Sequence, residues 1–379
     1  MRRRLRGSSL SLVSFLFFFF LQDAQAVDVL NYRGYSARAL GMGNAFSAIA
    51  DNSDALYYNP AALSRVRGFR FLLVDPYVGI NDITEVQDAL TDVSDSDDAD
   101  GFVTTIRELY GQNVWAAGGA KAGFYMPNFA AIYYAQAEFT GLLSSPSYPT
   151  YDLTYKYDSG VHVGFSFEML PGLHAGLGVR TIDRTGGELP VSVEILEDLD
   201  SDTIEDYLLR EGSGVGADFG LLYEVGALKW AFSWFNVGNT NFTAKENQRP
   251  TSEQQYMSLG VGAEIDLPLI TIRPAADFRF IDRSDIPLGK KMDLGLELDL
   301  PLLSVRGGFH HGYYTAGASV DLFFLRMDAA TWAEELGGYT GQEEDRRYMV
   351  QLVLELGMDA DLNIFTLDAA SRRQLKQRR

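Results

Sequence analysis

The sequence predicts an all-β protein: a 14-stranded antiparallel transmembrane β-barrel with an N-terminal helical hatch plugging the lumen. Three observations predict it. The chain opens with an export signal. From about residue 69 apolar and polar residues alternate with period 2, segment after segment. Aromatics reach 13% and glycines number 37, yet beyond the export signal no run of 18 or more apolar residues could cross a membrane as a helix. Lipid tolerates only helices or closed sheets, so an exported chain of this kind is expected to cross with strands.

The first element is the signal. Arg2, Arg3, Arg4 and Arg6 form a basic start, residues 10–21 an apolar run containing Phe17 to Phe20, and Ala24-Gln25-Ala26 a small-residue cleavage site. Together they read as a secretory signal peptide over 1–26, so the mature chain is expected to begin at Val27. The expected destination is the outer membrane of a Gram-negative-type cell, with its lipid as the surrounding partner.

Composition then removes several functions. With no cysteine in 379 residues, disulfides and thiolate metal sites are excluded. A formal net charge of −19 argues against nucleic acid, which wants a basic face. No catalytic constellation, cofactor motif or metal site is expected. His310 and His311, read as neighbours on one strand, would point to opposite faces and so fail to chelate one ion. His162 and His174 have Ser159 and Ser166 nearby, a proximity common by chance. Gly214-Val215-Gly216 and Gly260-Val261-Gly262 resemble pieces of a phosphate loop, but each lies in an alternating strand with no helix following, and so reads as a lumen-facing or packing pair.

The strands follow from the alternation. In 292–300, Met292, Leu294, Leu296, Leu298 and Leu300 point one way and Asp293, Gly295, Glu297 and Asp299 the other. A wall between lipid and a polar lumen wants both sets. The pattern recurs in 214–225, in 346–358, and in 230–234, where Trp230, Phe232 and Trp234 form a piece of an aromatic girdle. Short turns at 127–128, 171–172, 226–227, 267–268, 300–301 and 323–324 alternate with longer polar links. That gives strands at 69–81, 114–126, 129–139, 151–169, 173–184, 213–225, 229–238, 255–266, 270–282, 290–299, 303–309, 313–323, 325–336 and 346–358. Short turns belong on the periplasmic side and long loops outside. Two of those loops carry short helical signals, through Phe102, Ile106 and Leu109, and through Ile204, Tyr207 and Leu208, each beyond an acidic run. After the barrel, residues 359–379 form a periplasmic tail with a basic end.

Residues 27–68 do not alternate. Gly41 and Gly43 permit tight turns. Ser53 or Asp51 can cap a short helix over 53–58, which Pro60 ends while holding Asn59 extended. Arg33, Arg38, Asp51, Asp54 and Arg65 give this segment charges of both signs. The expected lumen supplies matching ones, Arg180, Asp218, Arg273, Asp277, Arg279, Asp293, Glu297 and Glu355, as a plug in a polar barrel requires.

The stretch ARALGMGNAFSAIADNSDALYYNPAAL resembles the hatch of the FadL superfamily of outer-membrane transporters. The family's Gly-Met-Gly falls on Gly41, Met42 and Gly43, and its Asn-Pro-Ala on Asn59, Pro60 and Ala61. The family barrel also has fourteen strands. GSGVGADFGLLYE at 212–224, followed by WAFSWFNVGN at 230–239, is most similar to the TraF-like and PorV-like branches. The resemblance implies passive transport of a hydrophobic small molecule, fatty-acid-like or lipid-like, resting against a hatch pocket of Leu40, Met42, Phe46, Tyr57 and Tyr58. In the fatty-acid transporters a kink in the third strand opens the wall, and here 129–139 has no Gly or Pro to make one. Two other roles stay open: a PorV-like barrel that binds a protein partner of a secretion apparatus through loops 82–113 and 185–212, and a structural barrel without cargo.

Overall fold

The computed structural model describes residues 34–82, 113–144, 150–192, 207–245, 248–322 and 324–358. The expected signal peptide, Arg33, the helical signal in loop 84–112, the 197–206 part of the second and the basic tail lie outside the described residues.

The strand segments, in chain order, are β1 (Phe69–Asn81), β2 (Asn113–Met126), β3 (Phe129–Ser144), β4 (Thr150–Leu170), β5 (Leu173–Ser192), β6 (Glu211–Val225), β7 (Leu228–Phe235), β8 (Thr243–Ala244), β9 (Tyr256–Ala263), β10 (Ile265–Asp266), β11 (Thr271–Phe278), β12 (Met292–Asp299), β13 (Leu303–His310), β14 (Tyr313–Leu322), β15 (Leu325–Glu335) and β16 (Glu344–Met358). Two of them, β8 and β10, are only two residues long. The other fourteen pair antiparallel, each with its neighbours, and β1 closes the circle on β16, with Phe69 opposite Met358. Closure leaves no sheet edge to expose unpaired backbone to lipid.

Alternation sets which face each side chain takes. In β12 Met292, Leu294 and Leu296 are exposed on the outside, while Asp293 and Glu297 are buried inside. In β16 Tyr348, Val350 and Leu352 face out and Gln351 faces in. Trp230 is exposed and its neighbours Lys229 and Ala231 are buried. The apolar exterior is thus a continuous property of the wall.

Strand ends differ from the alternation pattern at the long-loop side. β3 and β5 run on to Ser144 and Ser192, beyond 139 and 184. β7 stops at Phe235, short of 238, because Asn236 takes a left-handed backbone (φ 50°) that leaves the strand. β11 stops at Phe278, short of 282, and Phe280 has φ 55°. β3 pairs without a register shift, to β2 along 129–142 and to β4 along 129–144. The wall therefore carries no kink at the third strand. A register shift occurs instead in β1, between Leu72 and Asp75 against β2, beside Gly123 (φ 153°).

Residues 34–68 fill the lumen, from Tyr35, which clusters with Tyr77, Trp115 and Trp332 toward the long-loop end, to residue 68, which leads into β1 at the short-turn end. The hatch holds two short helices, Ala37–Gly41 and Ala55–Tyr58, and a 3-10 helix, Pro60–Arg65. Its apolar side chains, with those of the wall they meet, form the largest core among the described residues, centred on Met42, Phe46, Ile49, Leu56 and Leu63, all without appreciable exposure. The core of this protein is therefore its plug.

Candidate functional site

Local sequence explains how the hatch holds its shape. Ser36 caps the first helix by accepting from the Ala39 backbone N–H. Gly43 and Asn44 then take left-handed backbones in succession (φ 63° and 64°), and this turns the chain. The second helix is shorter than the sequence suggests. Its cap position is Asp54, not Ser53 or Asp51, and no side chain caps it, because the Asp54 carboxylate is engaged elsewhere. Asn59 is extended (φ −166°, ψ 107°), as the following proline demands. Its side-chain oxygen accepts from Ala61 N–H at 3.0 Å, and its amide donates to the Leu221 carbonyl of β6 at 3.0 Å. Asn-Pro-Ala is thus a helix start bolted to the wall.

The wall makes room by dropping side chains. A Cβ on Gly317 would lie 2.9 Å from Gly41 Cα, and one on Gly295 2.2 Å from the Met42 carbonyl oxygen. One on Gly176 would meet the Ala61 nitrogen at 2.2 Å. The glycine pair Gly260 and Gly262 faces Ser47 and Ile49 of the hatch. These strand glycines serve close approach of two backbones.

Charge does the rest. Arg38 grips Glu297 of β12 with two parallel hydrogen bonds of 2.8 Å, Nε to Oε2 and Nη2 to Oε1, and reaches Asp51 at 2.5 Å. Glu297 also receives Arg273 and Arg306, each at 2.7 Å. Three arginines around one buried carboxylate match a charge that would otherwise be costly inside a protein. Asp277 accepts from the Phe46 and Ser47 backbone N–H groups at 3.0 and 2.9 Å and from the Ser47 hydroxyl at 2.7 Å. Arg279 sits 2.7 Å from Asp293, and with the Asn44 amide turned to suit both neighbours it donates to Asn44 while Asn44 donates to the Tyr58 hydroxyl. A second network runs in a ring. The Ala37 N–H donates to Gln351, Gln351 to Asp75, Lys121 lies between Asp75 (3.1 Å) and Asp54 (2.7 Å), and Ser36 donates to Asp54 at 2.7 Å. Burial pushes the Asp54 carboxyl up, but Lys121 and Ser36 more than offset it and hold it below its ordinary range. For Asp51 burial is likewise outweighed, by Arg38, Arg273 and Arg65.

The structure distributes the residues singled out in the sequence as follows. Met42, Phe46, Tyr57 and Tyr58 come together in the main hatch core, with Phe46 and Tyr58 edge to face at 5.3 Å and Arg38 over the Phe46 ring. Leu40 lies apart from them, in a second cluster with Tyr35, Trp115 and Trp332. Asp277, Arg279 and Glu297 touch the hatch directly. Arg180 pairs with Glu253 at 2.5 Å, and Asp218 accepts from Asn236 N–H at 2.9 Å, holding residues 236 and 253 to the inside of the wall. Glu355 accepts from the Tyr125 hydroxyl. Ser166 donates to Asn128, and Ser159 lies on the opposite strand face from buried His162. Lys121 was not among the residues picked from the sequence, although its parity with Trp115 in β2 places it inward.

His310 and His311 correct the sequence reading. They do not point apart. His310 ends β13, and His311 lies beyond it with a left-handed backbone (φ 51°), which swings its ring back onto that of His310. The rings stack with centroids 3.8 Å apart, and both are buried.

Outside the barrel, a groove of about 470 Å³ runs along β6, β7, β9, β11 and β12 among Tyr223, Trp230, Phe232, Val261 and Leu294. Its floor includes Gly260 and Asp277, the wall positions that carry Ser47 on their inner side. Only four residue pairs, 259–262 against 275–278, join β9 to β11 there.

No protein-family model and no curated protein sequence matches the chain. Solved structures do. A TodX monoaromatic hydrocarbon channel lacking S2 and S3 superposes with a TM-score of 0.52 at 13% identity, over 86% of this chain and 99% of that one. The CymD monoaromatic hydrocarbon channel gives 0.54 at 10% identity, over 87% and 99%. The toluene transporter TbuX of Ralstonia pickettii gives 0.50 at 12% identity, over 87% and 100%. At such identities the likeness is one of fold. Together with the closed fourteen-strand wall and the N-terminal plug, it shows that this chain shares the fold of those channels.

Proposed function

We propose that the protein is an outer-membrane channel for the passive uptake of hydrophobic small molecules, fatty-acid-like or lipid-like, with residues 27–68 as its hatch and 69–358 as its barrel. The observation that carries this reading is the composition of the plug. Its rim is held to the wall by ion pairs, while its interior is an apolar cluster of Met42, Phe46, Tyr57 and Tyr58. Such a plug stops ions and polar solutes but offers an oily solute a place to partition, since ligand sites pair apolar walls with few polar anchors. The hydrocarbon channels that share the fold support the same solute class. Release at the third strand has no support in its unbroken pairing. The apolar outer groove at Gly260, backed by Ser47 and Phe46, is the exit we favour.

The test is native mass spectrometry of the mature barrel in mild detergent, with extraction and identification of bound molecules. A discrete co-purified lipid or hydrocarbon, lost on Phe46→Asp, supports transport. Uptake of a labelled aromatic hydrocarbon into vesicles, slowed by Val261→Trp at the groove, supports the exit without disturbing the hatch core. An empty barrel with no uptake above that of protein-free vesicles would remove the transport reading.

A second reading, a PorV-like barrel that binds a secretion partner, draws on the continuous β3 ladder and on the degree to which the hatch is locked. Co-purification of a defined partner, abolished by trimming loops 82–113 or 185–212, would favour it.

A further inference from the structure

At the long-loop end of the barrel three strands bring together His310, His311 and Glu334, side chains that neither hatch nor channel uses. His310 from β13, His311 just beyond it and Glu334 from β15 are all buried, and one donor atom from each lies within 4.8 Å of the others. Each is held in a definite orientation. His310 Nδ1 faces Asp293 of β12 at 2.7 Å, which leaves Nε2 directed at Glu334 Oε2, 3.3 Å away. The Trp332 indole donates to Glu334 Oε1 at 2.8 Å, fixing the carboxylate so that Oε2 faces both rings. His311 Nδ1 comes to 3.1 Å from that same oxygen, and its Nε2 has no hydrogen-bond partner among the described residues. Burying an imidazole nitrogen unsatisfied costs free energy that a further partner in this pocket would recover.

We propose that His310, His311 and Glu334 form a binding site for one transition-metal cation, with Asp293 and Trp332 as its outer supports. Two imidazoles and a carboxylate suit Zn²⁺, Ni²⁺ or Cu²⁺ and not Ca²⁺ or Mg²⁺, which prefer oxygen ligands throughout. A carboxylate behind a ligating histidine and a donor behind a ligating carboxylate are the usual second ring of such sites. An ion about 2.0–2.2 Å from each donor holds any two no more than about 4.4 Å apart, so binding draws the group slightly inward. The site ties β12, β13 and β15 together beneath the 336–343 connection, whose Thr340 packs on Gly312. Being enclosed, it loads as the barrel folds.

The experiment refolds the mature chain from urea into detergent with Zn²⁺ or with a chelator, dialyses it, and counts metal by mass spectrometry. About one retained Zn²⁺ per chain is expected, with at least a tenfold loss of affinity on Glu334→Gln or His311→Asn and none on His174→Asn. Asparagine tolerates the left-handed backbone at 311, so the turn survives that change. Should either variant fail to fold, Cu²⁺ electron paramagnetic resonance on the wild-type barrel decides: two-nitrogen hyperfine structure supports the site, and its absence overturns it. No retained metal, or equal retention with His311→Asn, also overturns it.

Discussion

The Arg38 guanidinium and the Glu297 carboxylate, 259 residues apart in sequence, meet through two parallel hydrogen bonds of 2.8 Å inside the barrel. This pair joins plug to wall, and Arg273 and Arg306 share the same carboxylate. Removing one partner from a buried set of this kind typically costs about 3–5 kcal/mol, because the remaining charges are left unmatched. Glu297→Gln is therefore expected to lower the stability of the refolded barrel by that amount, measured as a shift of its urea midpoint. A shift no larger than that of a surface change such as Arg283→Gln would mean that the arginines find other partners.

Gly43 predicts a contrast between strain and steric conflict. It and Gly226 both have φ close to 60°. A Cβ on Gly43 would lie 2.3 Å from the Leu294 carbonyl oxygen, whereas one on Gly226 meets nothing within 4 Å. Gly226→Ala should cost only the backbone penalty, about 1 kcal/mol. Gly43→Ala should cost clearly more and should expose the hatch to limited proteolysis, which Gly226→Ala should not.

The hatch carboxylates predict an acid limit. Asp54 and Asp51 titrate below their ordinary range in the folded state. A group with a depressed folded pKa contributes stability that is present above its unfolded value, about 3.9, and is lost as pH falls toward the folded value. The plug should thus stay seated down to about pH 4 and loosen below it. Channel conductance across a planar bilayer, stepped from pH 7 to pH 3, reads this directly. Asp54→Asn should show a weaker plug at pH 7 and a flatter acid response.

Deleting residues 34–65 should convert a closed barrel into an ion-conducting one, because the strand glycines that receive the hatch put no side chains in its place. Bilayer conductance of the deletion variant checks this. A barrel that stays silent would mean that the wall's own inward side chains and the residues around Asn236 and Glu253 seal the lumen unaided.

Much of this was legible in the sequence, for physical reasons that differ between elements. Strand number and facing follow from period 2, since lipid outside and charge inside write opposite chemistries on alternate residues, as in Met292 to Leu300. Asn59 was legible because Pro60 constrains it locally. The partners of the lumen charges were not. That Glu297 meets Arg38 whereas Arg180 meets Glu253 depends on barrel register and on how the plug is rotated, and neither leaves a local trace. Lys121 could be placed inward by parity, but nothing in an alanine- and glycine-rich strand signals two carboxylates waiting for it. His311 misled because it looks like a strand residue, and only its left-handed backbone brings it beside His310. The strand glycines gave the weakest signal, because a missing side chain says nothing about which distant backbone takes up the space.

The close approach of hatch and wall has a mechanical consequence. A cork held by side chains can slide, because each side chain can rotate out of the way. Here the main chain at 41–43 and again at 59–61 rests on the main chain of the wall, at Gly295, Gly308 and Gly317 on one side and at Gly176 and Gly220 on the other. Peptide planes do not rotate aside, so these two seats act as keys that fix the plug in one register and oppose any piston-like stroke. Between them the chain from 44 to 58 is held largely by side-chain contacts, through Ser47, Asp54 and Tyr58 among others. Movement, when it comes, belongs to that span: a loop flexing between two fixed pins, with the rest of the plug staying where it is.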